Sequence, residues 1–348
     1  MLMAATANEG VKVALGAAAV GAAAAAGKVG LDKVRSDGAD GSGGPSRKYR
    51  LRNKEALGEG MRRIALGRID HALDELRGDA DDRATAVHEA RKDLKKLRAV
   101  VRLVRDEIGD ELYREQNARY RDLGRKLSGA RDAQVRLETL DELIEQTGLE
   151  RGSVSGLRDA LESERANQAG IASDELLEGV AAELDAERDE IASWPVEGED
   201  WNIVGPGLMR IYRRGRNRFE DVVVEPSTEN LHEWRKRAKD LWYGFRILRP
   251  AWTPVMEGYT DAADRLSDLL GDDHDLAVLA ATARDRVGAF DGDGLEQLLE
   301  AVGKRRAELQ SEAIPMGRRL YAEKPGAFAD RIESWWRAWR GIPPATVS

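Results

Sequence analysis

The string His88-Glu89-Ala90-Arg91-Lys92-Asp93-Leu94-Lys95-Lys96-Leu97 recurs 144 residues later as His232-Glu233-Trp234-Arg235-Lys236-Arg237-Ala238-Lys239-Asp240-Leu241. An internal repeat constrains architecture before any single residue does, because one unit used twice must find two equivalent places. The repeat extends further. Leu123-Gly124-Arg125-Lys126-Leu127-Ser128-Gly129-Ala130-Arg131-Asp132 aligns with Leu266-Ser267-Asp268-Leu269-Leu270-Gly271-Asp272-Asp273-His274-Asp275, now offset by 143. Ahead of each His string lies an arginine-bearing stretch: Arg62, Arg63 and Arg68 in the first half, and Arg210, Arg213, Arg214, Arg216 and Arg218 in the second. Each half therefore reads as a basic helix, a His helix, and a helix leading into a small-residue turn with an x-Asp step. This predicts a duplicated helical bundle with internal two-fold symmetry and a shared central groove.

From about residue 54 onward, apolar and charged residues recur at three- and four-residue spacing, and no stretch alternates as a strand does. The fold class is all-α. Breaks are expected at residues 78–82, 147–153, 194–206, 225–230, 250–254, 288–294 and 324–326, where Gly, Pro and Asx residues cluster. Residues 1–46 read as a low-complexity Ala/Gly-rich tail and linker. Residues 13–27 are short, Gly-broken and weakly apolar beside the roughly 20 strongly apolar residues of a membrane span. No firm membrane association is expected from them. The expected halves are residues 47–200 and 201–348.

The chain has 55 Lys+Arg against 63 Asp+Glu, a net charge of −8, which speaks against a general nucleic-acid coat. The charge is segregated. Residues 210–218 hold five arginines and no acid, whereas residues 174–190 hold eight acids. There are no cysteines, which excludes disulfides, thiolate metal sites and Cys nucleophiles, and fits a cytoplasmic setting.

On a helix turning about 100° per residue, His88, Arg91, Lys95, Arg98, Arg102 and Arg105 fall on one stripe about 100° wide. An apolar stripe of Val87, Leu94, Leu97, Val101, Val104 and Ile108 lies beside it. In the second copy His232, Arg235, Lys239, Arg246 and Arg249 share a stripe, and Trp242 stands where the first copy has Arg98. Thr85 is the expected cap of the first His helix, and Thr228 or Asn230 of the second. Exposed helix faces usually intersperse acids among bases, since like charges at this spacing repel. These stripes carry no acid, and the costly pattern occurs twice. A row of cations suits a linear polyanion, held by charge-assisted hydrogen bonds and strengthened by counterion release. A solvated basic face is the plainer alternative. Neither a phosphate-cradling Gly-rich loop nor a dinucleotide fingerprint is present.

Asp272-Asp273-His274-Asp275 has the look of a phosphohydrolase signature, but its repeat partner places Arg131 at the position of His274. Arginine cannot ligate a metal, so the exchange points to anion contact; no catalytic metal and no cofactor are expected.

These motifs resemble the CHAD family, the conserved-histidine α-helical domain. The first half matches in Val87-His88-x-x-Arg91-x-x-x-Lys95-Lys96-Leu97-Arg98, and the second in Leu231-His232-Glu233-x-Arg235-Lys236-x-x-Lys239-x-Leu241-x-Tyr243. The Ala130-Arg131-Asp132 and His274-Asp275 steps fit its third-helix positions. The resemblance covers roughly residues 55–335. It implies two pseudo-symmetric four-helix bundles from an internal duplication, enclosing a basic central groove. It also implies binding of inorganic polyphosphate and association with polyphosphate granules and their proteins. The site residues expected on this reading are Arg62, Arg63, His88, Arg91, Lys92, Lys95, Lys96, Arg98, Arg102, Arg131, Arg210, Arg214, His232, Arg235, Lys236, Lys239 and His274. Trp242 departs from the family's usual base before Tyr243. The Glu-x-Glu-x-Lys motif of the triphosphate-tunnel domain often fused to this family is absent, so its triphosphatase activity is not implied and a non-enzymatic binder is expected. A metal-dependent phosphohydrolase and a nucleic-acid-binding helical module are the alternatives. The terminal Trp335, Trp336 and Trp339 are expected to close the second bundle.

Overall fold

Every third or fourth residue of the stretch after Ala56 is buried: Met61, Ile64, Ala65, Ile69, Ala72, Leu73 and Leu76 form one apolar face of helix α1 (Leu57–Arg77). The structure is a computed structural model that describes residues 48–78, 83–128, 131–168 and 173–343, with the side chains of residues 131, 132 and 168 outside that description. The expected tail over residues 1–46 lies outside it as well. Then follow α2 (Arg83–Leu103), the four-residue α3 (Arg105–Ile108), α4 (Asp110–Lys126), α5 (Arg131–Thr147), α6 (Ser155–Gln168) and α7 (Asp174–Ala192). The second half supplies α8 (Gly205–Val224), α9 (Thr228–Leu248), α10 (Thr253–Asp285), α11 (Gly294–Leu320) and α12 (Pro325–Arg340). No strand occurs among the described residues.

All seven expected breaks separate helices. Two further features depart from expectation. The first His helix stops at Leu103, and the chain turns through Gly109, whose φ of 83° favours glycine, before α4 begins. In the second copy the expected turn is missing, because α10 runs unbroken through Gly271 and His274. A mid-helix glycine costs about 1 kcal/mol relative to alanine, but buried Leu266, Leu269, Leu270 and Leu276 anchor the helix on both sides. In the first copy α4 ends near Ser128, whose hydroxyl donates back to the Gly124 carbonyl at 3.0 Å.

Helix α1 packs on α2 and α7, and α4 packs on the same two; α9 packs between α8 and α10, with α11 on α10 and α12 on α8. The α5–α6 hairpin pairs with itself, and α5 then lies against α10 and α11. Helix α2 crosses α8 and α9. At that crossing a Cβ on Gly207 would come within 2.2 Å of the Leu103 carbonyl oxygen, so the two backbones meet where only glycine fits. The segment over residues 48–56 lies along α9, with the Leu51 N–H donating to the Ile247 carbonyl at 3.1 Å. Trp336 packs on Trp201 with ring centroids 5.5 Å apart, and Trp335 on Trp252 at 5.1 Å, closing the C-terminal end. Among the described residues no helix is both long and apolar enough to cross a membrane.

Candidate functional site

The cationic stripe on α2 begins at His88, which is half-buried, and continues through half-buried Arg91, exposed Lys95 and half-buried Arg98. Arg98 Nε donates to the neutral Asn117 Oδ1 at 3.1 Å. Beyond Arg98 the stripe changes character. Arg102 is buried and pairs with Asp240 of α9 at 3.1 Å. Arg105 lies past the end of α2, pairs with Asp110 at 2.7 Å, and covers the Tyr113 ring at 4.5 Å. The absence of acid along the stripe is therefore compensated at one end by carboxylates from other elements, which a helical projection cannot display.

On α9 the N-cap is Ser227, whose hydroxyl accepts from the Asn230 N–H at 3.2 Å, in place of the expected Thr228 or Asn230. His232 stacks on His274 of α10, with centroids 4.0 Å apart and planes 27° from parallel. Arg235 lies against Gly271, where an added Cβ would stand in ordinary contact with its guanidinium, 3.5 Å from Nε. The Lys239 ammonium sits 5.0 Å from the Trp242 ring, and the Arg246 guanidinium 4.9 Å from the same ring. Trp242 thus replaces a cation with an aromatic face that holds two.

Burial first, and neighbouring positive charge second, disfavour the charged form of several of these groups. Burial pushes the Arg98 guanidinium down to about 10, and neighbouring Arg102 adds to this. Burial also pushes His232 down to about 4, followed by the effects of His274, Lys236 and Arg235. His274 is lowered by burial and then by Arg235. The Nδ1 atoms of both histidines are buried without a hydrogen-bond partner. Asp273 is next to His274 in sequence, yet it is committed to Arg306 through two bonds of 3.0 and 3.1 Å and to Gln310 at 2.7 Å.

A family-level match fits this arrangement. The CHAD domain matches residues 63–284, more than half of the chain and inclusive of both His helices. The chain belongs to the CHAD domain family. The crystal structure of the CHAD domain from the plant Ricinus communis aligns with 84% of this chain and 94% of its own, at 17% sequence identity and a TM-score of 0.49. No curated protein matches the chain.

Several other expected site residues of this CHAD domain make contacts within the fold or lie off the stripes. Arg62 donates to the Trp194 and Val196 carbonyls at 3.0 and 2.8 Å, fixing the turn after α7. Arg63 binds Glu55 at 2.5 Å and the Arg50 carbonyl at 2.9 Å, holding the N-terminal segment. Lys92 is buried, with its ammonium 2.9 Å from Glu89. Lys96 is buried against Asp93 at 3.2 Å. Lys236 is exposed and pairs with Glu233 at 2.6 Å. Arg210 binds Asp106 at 2.6 Å, and Arg214 is exposed; both lie on α8, off the two stripes. The Arg131 side chain falls outside the described residues. The other expected residues lie on the stripes: His88, Arg91, Lys95 and Arg98 on α2, and His232, Arg235 and Lys239 on α9, with His274 of α10 stacked on His232.

Sequence reasoning passed over a buried ionic centre. Asp93 accepts from Arg68 and Lys96, both at 3.2 Å, and its other oxygen lies 2.6 Å from His71 Nδ1. Tyr49 closes this centre: its hydroxyl donates to the Lys96 carbonyl at 3.3 Å, and Arg68, Lys96 and Arg246 surround its ring at 5.6–6.0 Å. The repeat did carry a signal. Asp93 and Lys96 align with Arg237 and Asp240, so the same two positions hold an ion pair of opposite order, 2.9 Å long in the second copy.

Proposed function

We propose that this CHAD domain binds inorganic polyphosphate along the cationic stripes of α2 and α9 and does not turn it over. The observation that carries this reading is the run of cations from Arg91 to Arg98, repeated by Arg235 and Lys239, in surroundings that depress Arg98 and His232. Burial is the larger cause of both depressions and neighbouring positive charge the second, and a bound anion relieves that second part. The stretch from His88 to Arg98 rises about 15 Å along the helix, longer than one phosphate group and suited to a chain of them. A binder of this kind would work in the cytoplasm, at polyphosphate granules and among their proteins. A catalytic reading has less support, since Asp273 is held by Arg306 and Gln310, and among the described residues no three His, Asp or Glu side chains gather as metal ligands.

The test is titration of the purified protein with long-chain polyphosphate across a salt series. Affinity should fall steeply with salt. The Arg91→Glu/Lys95→Glu/Arg235→Glu/Lys239→Glu variant should lose at least about 100-fold, given roughly 1.5–3 kcal/mol per charged hydrogen bond. A folded variant that binds as tightly as the parent refutes the proposal. Duplex DNA and RNA serve as competitors: displacement at equal charge concentration would favour a general polyanion or nucleic-acid binder.

A further inference from the structure

A recess where α2, α3 and α4 meet α8 and α9 collects five guanidinium groups, those of Arg102, Arg105, Arg210, Arg214 and Arg237, around Asp240. Most are already oriented. Asp240 bridges Arg102 at 3.1 Å and Arg237 at 2.9 Å. Asp110 holds Arg105 at 2.7 Å while Tyr113 backs its flat face. Asp106 takes Arg210 through Nη2 at 2.6 and 2.8 Å. Arg214 has no carboxylate within ion-pair distance among the described residues.

Five guanidiniums against three carboxylates leave two positive charges unmatched. Each guanidinium has five N–H donors in a fixed fork, and a single carboxylate occupies only one edge of it. Donors therefore remain, and one of them, Arg210 Nη1, is buried without a hydrogen-bond partner. Because the carboxylates hold the arginines in place, little side-chain freedom is left to lose when an anion arrives.

The position of the recess suggests which anion. Arg98 lies one helical turn from Arg102, so the recess lies at the C-terminal end of the α2 stripe. We propose that the recess receives the dianionic terminal phosphate of a linear polyphosphate chain whose interior lies along the stripe. An interior phosphate of such a chain carries one charge. A terminal phosphate has a second ionisation with a pKa of about 6 and approaches two charges at neutral pH. The unmatched charge of the recess equals that of a chain end and exceeds that of an interior unit. The inference rests on the polyphosphate reading and adds polarity to it: one end of the chain is recognised and the remainder follows the ladder.

The experiment compares a short linear polyphosphate with free ends and the same chain capped at both ends as phosphoramidates, titrated into the full-length protein by calorimetry. Capping should weaken binding to the wild type about tenfold, the effect of one charge-assisted hydrogen bond. In Arg210→Gln/Arg214→Gln the difference between the two chains should vanish, while the capped chain binds within about threefold of its wild-type affinity. Both side chains are partly exposed, and circular dichroism melting checks that the variant folds. If the wild type binds both chains tightly and equally, end recognition is overturned and the polyphosphate reading stands. Persistence of the difference in the variant overturns the assignment to this recess. Binding of neither chain overturns the underlying reading, and this inference with it.

Discussion

Asp93→Asn isolates the buried ionic centre that organises the first His helix. Asp93 is 0% exposed, with Arg68 at 2% and Lys96 at 4%. Its carboxylate is the shared counter-charge of both cations, each 3.2 Å away, and lies 2.6 Å from His71. Asparagine keeps the shape and removes the charge, so two buried cations face each other without the carboxylate between them. Removing one partner of a buried pair costs about 3–5 kcal/mol, a large part of the roughly 5–15 kcal/mol that holds a typical protein folded. At about 2 °C per kcal/mol for a chain of this size, the melting temperature should fall by roughly 6–10 °C. Urea denaturation followed by circular dichroism measures the loss directly. Two companions sharpen the experiment. Lys96→Met added to Asp93→Asn removes one of the opposed cations and should restore at least about 1 kcal/mol. Glu233→Gln breaks the Glu233–Lys236 pair, which has the same i,i+3 spacing but is 36–43% exposed, and should cost under about 1 kcal/mol. The reasoning fails if Asp93→Asn stays within about 1 kcal/mol of the parent, or if Lys96→Met brings no relief. Burial alone would raise Asp93, but the His71 hydrogen bond and the charges of Lys96 and Arg68 hold it below its ordinary value. Its contribution to stability is thus present above the ordinary carboxylate range and is lost as pH falls through its lowered folded-state value.

The His232–His274 pair sets a second pH dependence. Both rings resist protonation in the folded protein, His232 down to about 4, against an ordinary value of 6.5. The unfolded chain therefore binds more protons between these values, and the ligand-free protein should lose stability as pH falls from 6.5 toward 4. A bound polyanion favours the charged rings, so polyphosphate affinity should rise over the same descent with measurable proton uptake. His232→Asn/His274→Asn should flatten both profiles, and an unchanged pH profile in that variant would contradict the assignment. At the α2–α8 crossing, Gly207→Ala should cost about 1–3 kcal/mol in denaturation, since its Cβ would meet the Leu103 carbonyl at 2.2 Å and the helices must separate; a neutral result would mean that the crossing is looser than described.

How much was readable in advance follows from how far each determinant reaches along the chain. Helix period and breaks are local. The seven Gly-, Pro- and Asx-rich interruptions could be named without coordinates, and the projection placed Arg91, Lys95 and Arg98 on one face. Val104–Gly109 escaped because Arg105-Asp106-Glu107-Ile108 continues a helical pattern, and the interruption shows only in the backbone at Gly109. Gly271-Asp272 misled in the other direction: its composition suits a turn, but buried leucines on both sides keep α10 intact.

The residues alone determined an all-helical chain, its internal repeat, its membership of the CHAD family and the two cationic stripes. Only the tertiary structure decided which cations are neutralised. Arg102 pairs with Asp240, 138 positions away; Arg63 and Arg62 bind backbone carbonyls; His232 meets His274 across two helices. The physical reason is that a helix face repeats every few residues and can be read locally, whereas Coulomb interactions and burial depend on distance in space, and distance in space is set by the packing of elements far apart in the chain.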